Sequence, residues 1–151
     1  MAGTLVAYFT YSGNAKKVAE RVAELAGADL FEIQTAAPYS TDYQTCIEEA
    51  RKEIAEHARP ALTAKVEDIG KYDRLILGFP NWCSTCPMPI LSFLEAYDLT
   101  GMRIDSFVTN GGGGCGNSAE DIRKSSKGAE VSESINGNDL TDERIKEWLG
   151  L

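Results

Sequence analysis

The stretch from Thr4 to Gly27, TLVAYFTYSGNAKKVAERVAELAG, decides how this chain is organised. Its opening, TLVAYFT, is a short apolar run rich in strand-forming side chains, bounded by turn residues. The segment NAKKVAERVAELAG that follows places Ala15, Val18, Ala19, Val22, Ala23, Leu25 and Ala26 near helical spacing and stops at Gly27. A strand thus passes through one short connection into a helix.

The same alternation continues to the C-terminus. ADLFEIQ alternates as a half-buried strand, and Asp42–Ala58 puts Ile47, Ala50, Ile54 and Ala58 on one helical face before Pro60. RLILGF reads as a third strand, PMPILSFLEAY as a helix opened by prolines, and Arg103–Asn110 as a fourth strand. SAEDIRKSS carries Ser118 and Asp121 at capping-box spacing, AEVSESI reads as a fifth strand, and Thr141 caps a final amphipathic helix. Strict alternation predicts a five-stranded parallel sheet with helices on both faces, because parallel strands need crossover connections. The order 2-1-3-4-5 suits five strands, and ligands then bind outside the carboxyl ends of the strands where the order reverses.

At 151 residues the chain fits one domain, expected to span 1–151. Its 43% hydrophobic and 25% charged composition is ordinary, and no apolar run approaches the roughly 20 residues of a membrane helix. With 23 acidic against 15 basic side chains, the formal charge of -8 argues against nucleic acid as a partner. The start MAGTLVAYFT lacks the features of a secretory signal, so the expected location is cytoplasmic, where Cys46, Cys83, Cys86 and Cys115 are thiols.

Three connections converge on the expected binding edge. Thr10, Tyr11, Ser12, Gly13, Asn14 and Ala15 offer hydroxyls, a side-chain amide and the free N–H groups of a helix N-terminus, all neutral donors suited to a phosphate. The pattern is neither GxGxxG nor GxxxxGK[ST], which disfavours a dinucleotide or a nucleoside triphosphate. In FPNWCSTCP, Phe79–Pro87, a stiffening Pro80 and Asn81 precede Trp82, whose flat ring suits a stacked ligand, and Cys83 and Ser84 follow. In TNGGGGCGNS, Asn110, Gly111, Gly112 and Gly113 leave the backbone bare ahead of Cys115, as required where main-chain N–H groups approach a ligand closely.

YFTYSGNAKKVAE, LGFPNWCSTCPMP and TNGGGGCGNSAEDI, in this order and over nearly the whole chain, resemble the short-chain flavodoxins. The resemblance implies a flavodoxin-like three-layer sandwich. It also implies bound FMN, with phosphate on the Thr10–Ala15 loop, the ring against Trp82 and the pyrimidine edge on backbone of the glycine loop. The implied partners are redox proteins, a reductase donor and an acceptor enzyme, served by a monomer or weak dimer with no membrane insertion. The family usually has threonine where this chain has Ala15, which removes one phosphate hydroxyl. Tyr11, Tyr39 and Tyr43 are candidates to cover the flavin edge. Charge added to a flavin inside an acidic protein predicts a low potential for its second electron.

Cys83 and Cys86 admit three readings: small packing residues beside a flavin, a dithiol exchanging electrons with it, or a metal site with Cys115. A thiol at a helix N-terminus, as expected for Cys86, has a stabilised thiolate. His57 reads as a solvated residue of the second helix. An electron carrier is the favoured function, and an FMN-dependent NAD(P)H quinone or disulfide reductase is the alternative.

Overall fold

Apolar side chains that alternate along each strand divide between two cores, one on each face of a parallel sheet. The computed structural model describes residues 3–151. In it β1 (Gly3–Tyr8), α1 (Asn14–Ala26), β2 (Asp29–Glu32), α2 (Tyr43–Ala55), β3 (Tyr72–Pro80), α3 (Met88–Glu95), β4 (Arg103–Thr109), α4 (Ser118–Ser125), β5 (Glu130–Val131), β6 (Ile135–Asn136) and α5 (Asp142–Leu149) follow one another. One 3-10 turn at Ile69–Lys71 leads into β3. The strand order is β2-β1-β3-β4-β5, with β6 also paired to β4, and every ladder is parallel.

Leu5, Ala7 and Phe9 of β1 and its extension join Leu75, Leu77 and Phe79 in a core that also buries Ile90, Phe93 and Leu94 of α3 and Ile122 of α4. Val6, Tyr8, Ile76 and Phe107 turn the other way, onto Ala19 and Val22 of α1 and Ile145 and Leu149 of α5. This is the three-layer sandwich expected. Burying α3 on almost every side explains its composition, since Met88, Pro89, Ile90, Leu91, Phe93 and Leu94 are all buried. β2 lies at one edge of the sheet, where Leu30 is exposed while Ile33 just beyond the strand is buried.

The fifth strand departs from expectation. AEVSESI does not run as one strand. β5 and β6 lie in line along β4, pairing Ile104 with Val131 and Phe107 with Ile135. Between them Ser132 donates its hydroxyl to Asp105 at 2.6 Å, and the Ser134 and Ser106 hydroxyls lie 2.6 Å apart. Asp105 is 1% exposed and also meets Arg74 Nε at 2.8 Å. A buried carboxylate needs such partners, and the interruption accompanies the turning of serine hydroxyls toward β4.

Two helix ends also differ. α4 begins at Ser118, whose hydroxyl donates to the Cys115 carbonyl rather than capping the helix, while Asp121 accepts a hydrogen bond from the Thr85 hydroxyl. α2 stops at Ala55 instead of Ala58, because His57 takes a left-handed conformation with φ 51° just beyond it. Thr141 caps α5 as expected, accepting from the Arg144 N–H at 3.2 Å.

Gly78 of β3 faces Phe107 across the β3–β4 ladder, and a Cβ there would lie 2.1 Å from Phe107 Cζ. Gly78→Ala should therefore destabilise the fold by about 1–3 kcal/mol through overpacking. Denaturant unfolding reads this directly, and Phe107→Leu in the same chain should return part of the loss. An unchanged unfolding midpoint would contradict the close contact.

Candidate functional site

β1 lies between β2 and β3, so the chain leaves it toward one side of the sheet and returns to the other, which opens a crevice above the carboxyl ends of the strands. A cavity of ≈ 460 Å³ lies there. That size falls in the range of small-molecule sites, roughly 300–1,000 Å³. Its wall takes Tyr11, Ser12 and Asn14 from the β1–α1 connection, Pro80, Asn81, Trp82 and Cys83 from the β3–α3 connection, and Asn110 and Gly111 with Thr109 from the end of β4.

The β1–α1 connection presents bare backbone donors. Gly13 precedes α1, no side chain caps the helix, and its first turn holds no acidic residue. α2 and α5, by contrast, are capped by Asp42 and Thr141. The first N–H groups of α1 are therefore free to meet an anion, with the helix dipole favouring negative charge. Thr10 Oγ1 accepts from the Gly13 N–H at 2.9 Å, closing the loop on itself. Ala15 is 1% exposed and contributes to the core, not to the cavity wall.

The β3–α3 connection is a tight hairpin. The Trp82 N–H donates to the Thr85 carbonyl at 2.9 Å and the Thr85 N–H to the Trp82 carbonyl at 3.2 Å. Cys83 and Ser84 between them have φ of 55° and 70°. Two left-handed residues in succession make the twist of a type I′ turn, which side chains other than Asn, Asp and Gly adopt only under strain.

The glycine loop holds that turn in place. Asn81 accepts from the Ser84 N–H at 2.9 Å and donates to the Gly114 carbonyl at 2.9 Å. The Asn117 N–H donates to the Ser84 carbonyl at 2.7 Å. Gly116 sits at φ +56°, and a Cβ on it would lie 2.1 Å from the Ser84 carbonyl oxygen. At Gly116 it is protein backbone, not a ligand, that demands glycine.

Trp82 is set by its neighbours. Phe9, Tyr11 and Tyr39 lie 5.3, 5.8 and 4.9 Å from it, centroid to centroid and nearly perpendicular. Such edge-to-face pairs fix a ring that also borders the cavity. Tyr39 is held by a 2.6 Å hydrogen bond to Glu53, and burial together with that contact raises its hydroxyl pKa. Tyr11 donates to the Ser40 carbonyl at 2.6 Å. Tyr43 is 67% exposed and stands at the cavity rim.

Of the residues expected at the site, Thr10, Gly13, Ala15, Ser84, Gly112, Gly113 and Cys115 stay outside the cavity wall and shape or support it. The wall also includes one face of α2. Tyr43, Cys46, Ile47, Ala50 and Arg51 of α2 close its outer side. Ile47 and Ala50 lie on the helical face that the spacing predicts, and Cys46 and Ala50 are both buried. Cys86 departs from the stabilised thiolate expected at a helix N-terminus. The residue is 0% exposed, and burial above all, with Asp121 adding to it, pushes its thiol up to about 12 instead of favouring the thiolate. Cys83 is exposed and all four cysteines are free. Among the described residues, no three of His, Cys, Asp and Glu gather as metal ligands.

The likeness to known proteins runs along almost the entire chain. A candidate flavoprotein from Bacteroides eggerthii is 31% identical, with a TM-score of 0.88 over 99% of this chain and 97% of its own. A second, from Bacteroides uniformis, is 28% identical, with a TM-score of 0.87 over 99% of each chain. A flavoprotein from Lactobacillus acidophilus, solved in complex with FMN, shares the fold at 22% identity, with a TM-score of 0.79 over 99% of each chain. No curated protein matches the chain. A family model described as Flavodoxin matches residues 3–150, and the chain belongs to the flavodoxin family.

Proposed function

We propose that the cavity holds FMN and that the protein carries electrons, one or two at a time, between a reductase donor and an acceptor enzyme in the cytoplasm. The observation that carries this reading is the convergence of an uncapped helix N-terminus, a fixed tryptophan and bare glycine backbone on a single cavity. The donor set suits the group: neutral N–H, hydroxyl and amide donors fit a phosphate, and an aromatic wall fits a flat ring. When bound, FMN supplies the redox chemistry, and the protein supplies position and electrostatics.

Each wall then has a task. The α1 N-terminus with Ser12 and Asn14 binds the phosphate. Trp82, held edge-on by three other rings, orients the flavin ring without needing to reorganise. The Gly111 backbone meets the pyrimidine edge, next to Asn110, whose own N–H and carbonyl are held by the Asn138 side chain at 3.1 and 2.7 Å, and the α2 face walls the cavity against water. Purified protein mixed with FMN and passed through gel filtration should keep a stoichiometric flavin spectrum, and a colourless eluate would overturn the reading.

The alternative, a disulfide reductase working through Cys83 and Cys86, has the burial of Cys86 against it. Thiol labelling of the folded protein should modify Cys83 readily and leave Cys86 untouched until denaturant is added. Equal labelling rates for the two would restore the dithiol. Steady NADPH turnover with a quinone would favour an enzyme over a carrier.

Asn14→Ala tests the phosphate end. A hydrogen bond to a charged group contributes about 1.5–3 kcal/mol, so FMN affinity should fall about tenfold or more. Riboflavin, which lacks the phosphate, should bind the variant and the parent equally. An equal loss for both ligands would place Asn14 elsewhere on the flavin.

A further inference from the structure

The arginines of this chain are not alike. Arg21, Arg59, Arg74, Arg103, Arg123 and Arg144 each lie within ion-pair distance of a carboxylate. Arg51 is the remaining arginine of the sequence. Among the described residues it has no such partner, although Glu48 lies one turn earlier on the same helix. It follows Tyr43, Ile47 and Ala50 at helical spacing, on the face of α2 that borders the cavity.

The charge of the cavity wall is as unusual as the arginine. The chain carries 23 acidic residues and a formal charge of -8, yet among the described residues no Asp or Glu lines the cavity. Arg51 is the sole formally charged side chain on that wall. The part of the wall at the N-terminus of α1 offers neutral donors and a partial dipole charge. Arg51 is the one full positive charge on the wall of this cavity, while Lys17 borders the adjoining cavity that shares Asn14, Thr109 and Asn110. A guanidinium, always protonated and able to form paired hydrogen bonds, suits that task better than an ammonium.

We propose that Arg51 is the counter-charge of the cavity, pairing with the negative charge that a bound flavin nucleotide carries in its phosphate or acquires on its ring when reduced. This rests on the FMN reading above. It opposes the low potential expected from the acidic composition alone, because a cation at the ring favours the reduced form while distant surface carboxylates are screened by salt. The exposed position of Arg51 means that its replacement leaves the core intact.

The test compares the parent protein with Arg51→Gln and Arg51→Lys in three measurements: FMN affinity, riboflavin affinity and the two-electron midpoint potential of the FMN-loaded protein. If Arg51 meets the phosphate, Arg51→Gln weakens FMN about tenfold and leaves riboflavin binding and the midpoint unchanged. If it meets the ring, oxidised FMN binds as before. The reduced form then binds about tenfold more weakly relative to it, which is a midpoint about 30 mV lower. In either case Arg51→Lys keeps most of the parent's behaviour. A parent that binds FMN beside a glutamine variant identical to it in affinity and midpoint would overturn the inference and leave the FMN reading standing. A parent that fails to bind FMN would overturn both.

Discussion

Parallel pairing is the constraint from which the rest of this molecule follows. Strands that run the same way cannot be joined by tight turns, so each must be followed by a crossover, and every strand ends on the same side of the sheet. Since β1 lies inside the sheet, between β2 and β3, the crossovers on its two sides diverge and leave a crevice between them. The connections after β1, β3 and β4 reach that crevice because the ladders place the ends of those strands side by side, with Tyr8 beside Gly78 and Pro80 beside Thr109.

The loops at that edge are built with different degrees of freedom. The 82–85 turn is strained at Cys83 and Ser84, and three hydrogen bonds hold it: the Asn81 side chain accepts from the Ser84 N–H and donates to the Gly114 carbonyl, and the Asn117 N–H donates to the Ser84 carbonyl. Strain of this kind persists only where the surroundings over-determine it. Phe9, Tyr11 and Tyr39 then fix Trp82 from the other side, so the aromatic wall is rigid before any ligand arrives. Gly111 and Gly112 are free of such packing, with no atom within 4 Å of where a Cβ would stand. One stretch of glycines thus serves two purposes, backbone docking at Gly116 and open space nearer the cavity.

Electrostatics separates the site from the surface. The exterior is acidic, while the cavity wall carries one arginine and no carboxylate among the described residues. Inside the sheet the opposite arrangement is satisfied locally, with Asp105 enclosed by Arg74, Arg103 and Ser132. A buried charge is stable only with partners of that kind, which is why the last strand yields its regular ladder there.

Periodicity and punctuation determined, from the sequence alone, the alternation of strands and helices, the parallel order 2-1-3-4-5 and the three loops that meet. These are local signals: the spacing of apolar side chains, the prolines opening α3, the stop at Gly27 and the cap at Thr141. Tertiary structure alone decided which of those residues face the cavity. Cys86 sits two residues beyond Ser84 yet lies wholly in the core, and Ala15 packs inward beside an exposed Asn14. Nor did the helical pattern of α2 distinguish a face toward the core from one toward an opening, since a cavity wall and a core both draw on apolar side chains. The contribution of Arg51 depends on carboxylates that surround other arginines and not this one. That is a relation between residues distant in sequence, which only the folded chain brings together.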